Sequence, residues 1–205
     1  GDDGTLQIEG DSPWGGWSAD TRLVGPWNAS NIAAAVACVG SITGAIEAGV
    51  ASLASFPPVV GRMEPLNAGQ PFRAIVDFAH TPHALESVLR ELRRTTSGRL
   101  IVVFGAAGEQ DRAKRPMFGR VAAQLADLAL VTDEDPRAEP SADIAAEILA
   151  GAGRLDSDAA FEVVLDRREA IRRAFTVARA GDTVLLAGKG HESSIVYADY
   201  EIPWS

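Results

Sequence analysis

From residue 73 onward the chain alternates short apolar runs with stretches whose apolar residues recur every three or four positions. The runs at 73–77, 99–104, 128–132, 161–164 and 182–187 predict strands, and their nearly unbroken apolar character suits strands buried on both faces. Between them, 82–95, 116–126, 141–151 and 167–180 predict helices, the first marked by Leu85, Val88, Leu89 and Leu92. Thr81 reads as its N-cap, Pro82 suits the first turn, and Glu86 would set negative charge near the positive end of the helix dipole. Strands and helices alternating in this way imply an α/β fold with a mostly parallel sheet and helices on both faces. Ser193–Tyr197 and Tyr200–Ile202 predict a closing hairpin.

The first part of the chain has a different texture. Residues 1–27 mix β-like runs (Thr5–Ile8, Thr21–Val24) with Gly-, Asp-, Pro- and Trp-rich turns, as in the last hairpin of a domain that begins elsewhere. Asn28-Ala-Ser-Asn31 starts an alanine-rich helix, and a second is predicted around 43–54. Asn31 to Phe56 carries only Glu47 as a charge, but its alanines and Gly40, Gly44 and Gly49 give weak transfer into lipid. Two buried helices are expected rather than a membrane span. Phe56-Pro-Pro58 punctuates the chain and divides it into 1–57 and 58–205.

Composition narrows the function classes. A chain of 205 residues holds one large domain, or one domain and part of another; 46% hydrophobic and 23% charged residues suit a soluble globular protein. A formal charge of −9 argues against nonspecific nucleic-acid binding, which needs basic surface to displace counterions. The single Cys38 excludes an internal disulfide and, within its Ala/Val run, reads as a small buried residue in a reducing compartment. No basic region followed by an apolar core opens the chain, so no signal peptide is expected; the initial Gly suggests a piece of a longer protein.

Candidate chemistry collects at predicted strand ends. The strand at 73–77 delivers Asp77 and His80 to its carboxyl edge, where open α/β sheets bind ligands, although both could simply satisfy turn backbone. Gly105-Ala-Ala-Gly108 permits a tight turn, with Lys114 and Arg115 placed to hold an anion before a proline-started helix; the alternative is a solvated loop. Thr132-Asp-Glu-Asp-Pro-Arg137 could meet a zwitterion or be a solvated charged turn. Gly188-Lys-Gly-His-Glu192 fails the phosphate-loop pattern, but its glycines let backbone approach a ligand, with His191 and Glu192 projecting. Arg62 in Gly61-Arg-Met-Glu64 suits a phosphate, or else a linker salt bridge. The three histidines are dispersed, and neither a zinc spacing nor a covalent-hydrolase motif occurs.

Together these clusters resemble the Mur ligases, in particular the MurE type that adds the third residue to UDP-N-acetylmuramoyl peptides. The resemblance rests on Trp27–Ala34, Gly61–Glu64, Val76–Pro82, Asp111–Pro116, Asp135–Arg137, Asp166-Arg167 and Ala187–Glu192, in order across about 28–192. It implies that 1–57 end a central ATPase domain and that 58–205 form most of a C-terminal Rossmann-like domain. It implies a cytoplasmic, monomeric, ATP-dependent ligase that joins a diamino acid to UDP-N-acetylmuramoyl-dipeptide through an acyl phosphate, without nucleic-acid or membrane partners. Carried over by position, Asn28, Asn31, Arg62, Asp77 and His80 would contact ATP. Gly188 and Glu192 would hold the distal ammonium of the amino acid; Gln110, Glu134, Asp135, Pro136 and Arg137 belong to the selecting segments, with Arg137 pairing the distal carboxylate. The phosphate loop and Mg2+ site of the family lie upstream, so no catalytic residue is expected in this chain, nor ligation by the chain alone.

Three departures bear on the amino acid. Gln110 stands where diaminopimelate-adding relatives carry arginine, Asp135 replaces an asparagine, and His83 replaces an aspartate. Meso-diaminopimelate is expected narrowly ahead of lysine or ornithine. The alternatives are a folylpolyglutamate-synthetase-like or other amide ligase, and a noncatalytic nucleotide- or amino-acid-binding module.

Overall fold

The computed structural model describes residues 6–204, apart from Arg154 and Asp156. It divides into two compact units, Gly1–Val59 and Val60–Ser205.

In the first unit β1 (Leu6–Ser12) and β2 (Gly15–Thr21) form an antiparallel hairpin closed between Ser12 and Gly15. The apolar run Thr21–Val24 is therefore not the second strand. The alternation Trp17, Ala19, Thr21, which turns every second side chain inward, decides the pairing instead. Helix α1 (Trp27–Thr43) lays Ile32 and Val36 against Ile8, Ile46 and Leu53, while Gly40 lies against the Trp14 ring. Helix α2 (Glu47–Ser52) is followed by a single 3-10 turn, Leu53–Ser55. The expectation of two buried helices fails: α2 has no buried residue, Cys38 is exposed, and Ile42 is 84% exposed. An alanine-rich helix with few large apolar residues carries no broad apolar stripe, so only its i, i+4, i+8 row is covered. No helix among the described residues is long and apolar enough to cross a membrane.

The second unit is organised on a six-stranded sheet in the order β3-β4-β8-β5-β6-β7. These strands are β3 (Glu64–Leu66), β4 (Arg73–Asp77), β5 (Leu100–Phe104), β6 (Leu128–Val131), β7 (Ala160–Val163) and β8 (Thr183–Ala187). Only β3 runs antiparallel. It escaped the sequence reading because it is three residues long and contains Pro65, which an edge strand tolerates. Every residue of β5, β6 and β8 is buried, as strands covered on both faces require.

Four helices provide that cover: α3 (Pro82–Thr95), α4 (Lys114–Leu125), α5 (Ser141–Ala152) and α6 (Arg167–Val177). Ala170 and Ala174 of α6 pack with Ile101, Val103, Leu128, Leu130 and Val184. The alternate residues of β5 face the other way, where the Phe104 and Phe118 rings lie 6.1 Å apart. Thr81 caps α3, its hydroxyl accepting the Ala84 amide at 3.2 Å. Glu86 falls beyond the first turn and pairs instead with Arg90 at 2.7 Å. Pro116 is the third helical residue of α4 rather than the first. Strands β9 (Ser194–Val196) and β10 (Glu201–Pro203) form the closing hairpin.

Helices α4 and α5 meet through reciprocal glycines. A Cβ on Gly119 would strike the Ile148 carbonyl, and one on Gly151 the Pro116 carbonyl. Gly119→Ala or Gly151→Ala should therefore destabilise the fold by about 1–3 kcal/mol, the usual cost of overpacking. Urea denaturation of each variant against wild type measures this, and an unchanged midpoint would show that the helices can separate at no cost.

Candidate active site

Parallel strands bring their carboxyl ends to one rim, and the segments leaving β4, β5, β6 and β8 enclose a cleft of about 250 Å3 there. Its wall includes Phe78 and His80 after β4, Gln110 and Lys114 beyond β5, Glu134, Asp135 and Arg137 after β6, and Glu192 after β8. Six side chains singled out by the sequence thus share one cavity: His80, Gln110, Glu134, Asp135, Arg137 and Glu192. Gly188 borders it, because a Cβ there would lie 2.8 Å from Glu134 Oε2. Pro136 is buried rather than lining the cleft; its carbonyl abuts Gly108, whose amide donates to the Asp135 carbonyl at 2.8 Å. That contact, rather than a tight turn, accounts for the glycine at 108.

Asp77 lies beneath the rim, 5% exposed. Its Oδ2 accepts the Met63 amide at 2.8 Å and its Oδ1 the Ala79 amide at 2.9 Å. Burial holds its carboxyl above the usual range against those bonds and the nearby Arg62 charge. Its observed partners are turn backbone, the plainer of the two readings of this residue. Beside it, Phe78 has the Arg62 guanidinium 4.7 Å from its ring centroid, with the His80 and His191 rings at 4.4 and 5.0 Å. Arg62 is exposed and stacked rather than bridged to a carboxylate. In the first unit, Asn31 Nδ2 donates to Asn28 Oδ1 at 3.1 Å and Asn28 Nδ2 to the Val24 carbonyl at 2.8 Å.

The charged turn after β6 is not solvated. Asp133 and Glu134 are both 8% exposed. Tyr197 donates to Asp133 Oδ2 at 3.0 Å, and the Val196 amide donates to Asp135 Oδ1 at 2.9 Å, so the final hairpin grips this turn. The buried Arg167, first residue of α6, donates to the carbonyls of Asp133 and Ala187. Lys189 is 3% exposed and lies 2.8 Å from both Asp135 and Glu192. On the α4 side, Arg115 is buried and bonded to Glu139 and Glu147, each within 2.9 Å, so it braces the loops and is not open to an anion. Glu139 also accepts the Glu109 amide, tying the segment after β5 to the one after β6.

Arg137 lines the cleft in a left-handed conformation, φ 54°, fixed by its amide donating to the Val196 carbonyl at 3.1 Å. Its Nε is buried and makes no hydrogen bond among the described residues. Nor does the Glu134 carboxylate accept one there, and burial pushes it up to about 7 despite Arg167 and Lys189. The cleft therefore offers two cations, Arg137 and Lys114, and the Glu134 carboxylate, whose side chains make no ion pair or hydrogen bond among the described residues. Sequence reasoning overlooked Phe78 and gave Lys189 no role beyond shaping a turn. The two glycines flanking Lys189 were the available signal.

A carboxyl raised on folding binds its proton more tightly in the native state, so its contribution is present below the unfolded value and lost as pH rises through the folded one. For Glu134 that window runs from about 4.5 to about 7. Glu134→Gln should flatten the decline in stability across it, by up to about 3 kcal/mol. Denaturant titrations at a series of pH values test this; parallel pH curves for the two proteins would place the carboxylate in contact with solvent.

Residues 61–190 match the family model described as Mur ligase, glutamate ligase domain. The chain is 48% identical over 204 residues to the UDP-N-acetylmuramyl-tripeptide synthetase of a Roseiflexus species, covering 97% of this chain and 40% of the relative. It is 43% identical over 193 residues to the UDP-N-acetylmuramoyl-L-alanyl-D-glutamate--2,6-diaminopimelate ligase of Thermosynechococcus vestitus, covering 93% of this chain and 37% of that one. The chain thus spans about two fifths of these relatives. A solved UDP-N-acetylmuramoyl-L-alanyl-D-glutamate--2,6-diaminopimelate ligase superposes with a TM-score of 0.67 at 31% identity, over 96% of this chain and 40% of that structure. The ADP complex of Mycobacterium tuberculosis folylpolyglutamate synthase reaches 0.69 at 21% identity, over 90% and 41%, which shows a shared fold. With the matched segment running from the Arg62 turn to the glycines around Lys189, the chain belongs to the Mur ligase family.

Proposed function

We propose that this chain is the amino-acid-binding portion of an ATP-dependent ligase that adds a diamino acid to UDP-N-acetylmuramoyl-L-alanyl-D-glutamate in peptidoglycan synthesis. The observation that carries the reading is the presence, in one cleft, of Arg137 and Glu134, neither side chain making a hydrogen bond or ion pair among the described residues. An ammonium and a carboxylate on the same small ligand would satisfy both. The names of the relatives at 43–48% identity support this acceptor. Glu192, with Gly188 leaving room for close approach, would share the ammonium with Glu134.

Asp135 and Gln110 reduced the expectation of diaminopimelate, one by adding negative charge and the other by lacking positive charge. Asp135 is held by Lys189 and the Val196 amide, so its charge is largely spent within the protein. Gln110 remains exposed at the mouth. Meso-diaminopimelate therefore stays ahead of lysine and ornithine, with Arg137 as the partner of its distal carboxylate.

ATP would meet the surface around Phe78, where an exposed guanidinium and two imidazoles surround an aromatic ring. Such a surface fits a nucleotide, with Arg62 toward phosphate and His80 beside it. Asp77 braces this surface through the Met63 and Ala79 amides, and each oxygen keeps a lone pair for a ribose hydroxyl. Asn28 and Asn31 stay candidate ATP contacts through the family resemblance alone. When bound, ATP supplies the phosphoryl group that activates the acceptor carboxylate, and Mg2+ offsets its charge. Among the described residues no cluster of three or more carboxylate, His or Cys ligands offers a metal site. The metal is assigned to the part of the relatives that this chain does not span. The residues here bind and orient the amine that attacks, as a monomeric cytoplasmic protein would.

The test is phosphate release by the full-length protein with ATP, UDP-N-acetylmuramoyl-L-Ala-D-Glu and a panel of amino acids. Release is expected with diamino acids and not with glutamate; release with glutamate on a folate acceptor would overturn the assignment. Arg137→Ala should lower kcat/KM for meso-diaminopimelate by about 10- to 100-fold, the worth of a charge-assisted bond, and for lysine far less. Equal losses for both would remove Arg137 from selection.

A further inference from the structure

Gly188 and Gly190 adopt φ of 103° and 47°, conformations in which L side chains are strained. A Cβ on Gly188 would press on the Glu134 carboxylate, and one on Gly190 on Phe78. The backbone between them turns Lys189 inward, away from the solvent that a lysine ordinarily keeps. There its ammonium joins the segments after β6 and β8, and through the Val196 amide on Asp135 it reaches β9 as well.

The charge count of the cleft makes this contact more than a brace. Glu134, Asp135 and Glu192 bring three carboxylates to the β6 and β8 side of the wall, with Asp111 on the β5 side, and Arg137 and Lys114 are the cations there without an ion-pair partner among the described residues. Arg167 gives its hydrogen bonds to backbone carbonyls, so it adds field without pairing any of the three. Lys189 contacts two of them directly. We infer that Lys189 is a positioning residue that sets amino-acid selectivity: its one ammonium, shared between Asp135 and Glu192, offsets part of their charge and so leaves Arg137 available for a second carboxylate on the ligand, with Glu134 and the remaining charge of Glu192 receiving the ammonium. This rests on the ligase reading above.

Without the Lys189 charge, Asp135 and Glu192 would lose their shared counter-ion, and the cleft would gain one net negative charge facing the ligand. A carboxylate-bearing diamino acid is repelled by it, whereas lysine, with a bare ammonium at its far end, is attracted. In the full-length protein, Lys189→Met should shift the ratio of kcat/KM for meso-diaminopimelate to that for lysine by about tenfold or more toward lysine. The shift should come through the amino-acid KM, with the KM for ATP and for the muramoyl dipeptide within about twofold of wild type. Lys189→Arg should restore the ratio, and Asp135→Asn, which leaves Lys189 with positive charge to spare, should move it toward diaminopimelate. A folded Lys189→Met protein with an unchanged ratio overturns the inference. Should that variant fail to fold, an unchanged ratio in Asp135→Asn overturns it equally. A wild-type enzyme that accepts lysine but refuses diaminopimelate also defeats it. Wild-type protein that releases no phosphate with any diamino acid refutes the ligase reading instead; the same ratio, measured as Kd by calorimetry, then decides the role of Lys189 separately.

Discussion

Carboxylates cannot be buried together unless cations are buried with them, and the rim of the parallel sheet is built around that constraint. Asp133, Glu134 and Asp135 follow β6 in immediate succession, and Glu192 adds a fourth negative charge beside them. Solvation of Asp133 and Glu134 is mostly lost, as their raised proton affinity reflects. Lys189 and Arg167 supply the compensation from below, one by direct pairing and the other through its field and the carbonyls it holds. Removing one partner of such a group leaves an uncompensated charge, which costs more than the pair itself contributes. That asymmetry explains why the turn after β6, the glycines after β8 and the final hairpin form one mechanical piece.

The sheet order determines where that piece can form. Strand β5 lies between β8 and β6, so Asp135 and Lys189 can meet only across the carboxyl end of β5. The residues that follow β5 are Gly105, Ala106, Ala107 and Gly108. A Cβ on Gly105 would strike the Thr132 carbonyl and one on Gly108 the Pro136 carbonyl, so the small side chains let neighbouring loops close over the strand end. Arg115 then fastens the far side through Glu139 and Glu147. Phosphate-loop logic, in which glycines expose amides to an anion, does not describe this loop. Its glycines serve contact with another loop.

Much of this was legible in the sequence where burial is symmetric and local rules suffice. The runs that became β5, β6 and β8 are apolar without interruption because both faces are covered, and Thr81-Pro82 announced α3 through its own backbone chemistry. The first unit was less legible. Its alanine-rich helix has little amphipathic pattern, so neither Cys38 nor Ile42 reveals its exposure in one dimension. The rim was legible as a set of polar clusters at strand ends but not as a charge balance. Whether Asp135 repels a ligand or is already paired depends on a residue 54 positions away, brought beside it by sheet order. Asp77 shows another limit. Its position marks it as a candidate ligand contact, but the two backbone amides that its oxygens also accept, one from Met63 fourteen residues away, are not legible in the sequence.

Charge balance also changes how substitutions in the selecting segment are to be weighed. Taken singly, an aspartate in place of an asparagine adds one negative charge beside the ligand. With the Lys189 ammonium 2.8 Å from that aspartate, the same exchange converts a neutral hydrogen-bond partner into an ion pair, so the added charge offsets the lysine and only the balance reaches the ligand. The lysine then gives structural purpose to its two flanking glycines, because only a backbone freed from Cβ at both positions turns that side chain inward here. Residue by residue comparison of such a site misjudges selectivity whenever a buried counter-charge lies outside the compared segment. The quantity to compare is the charge that remains after internal pairs are removed, and here that is Arg137 and Lys114 facing Glu134 and Asp111.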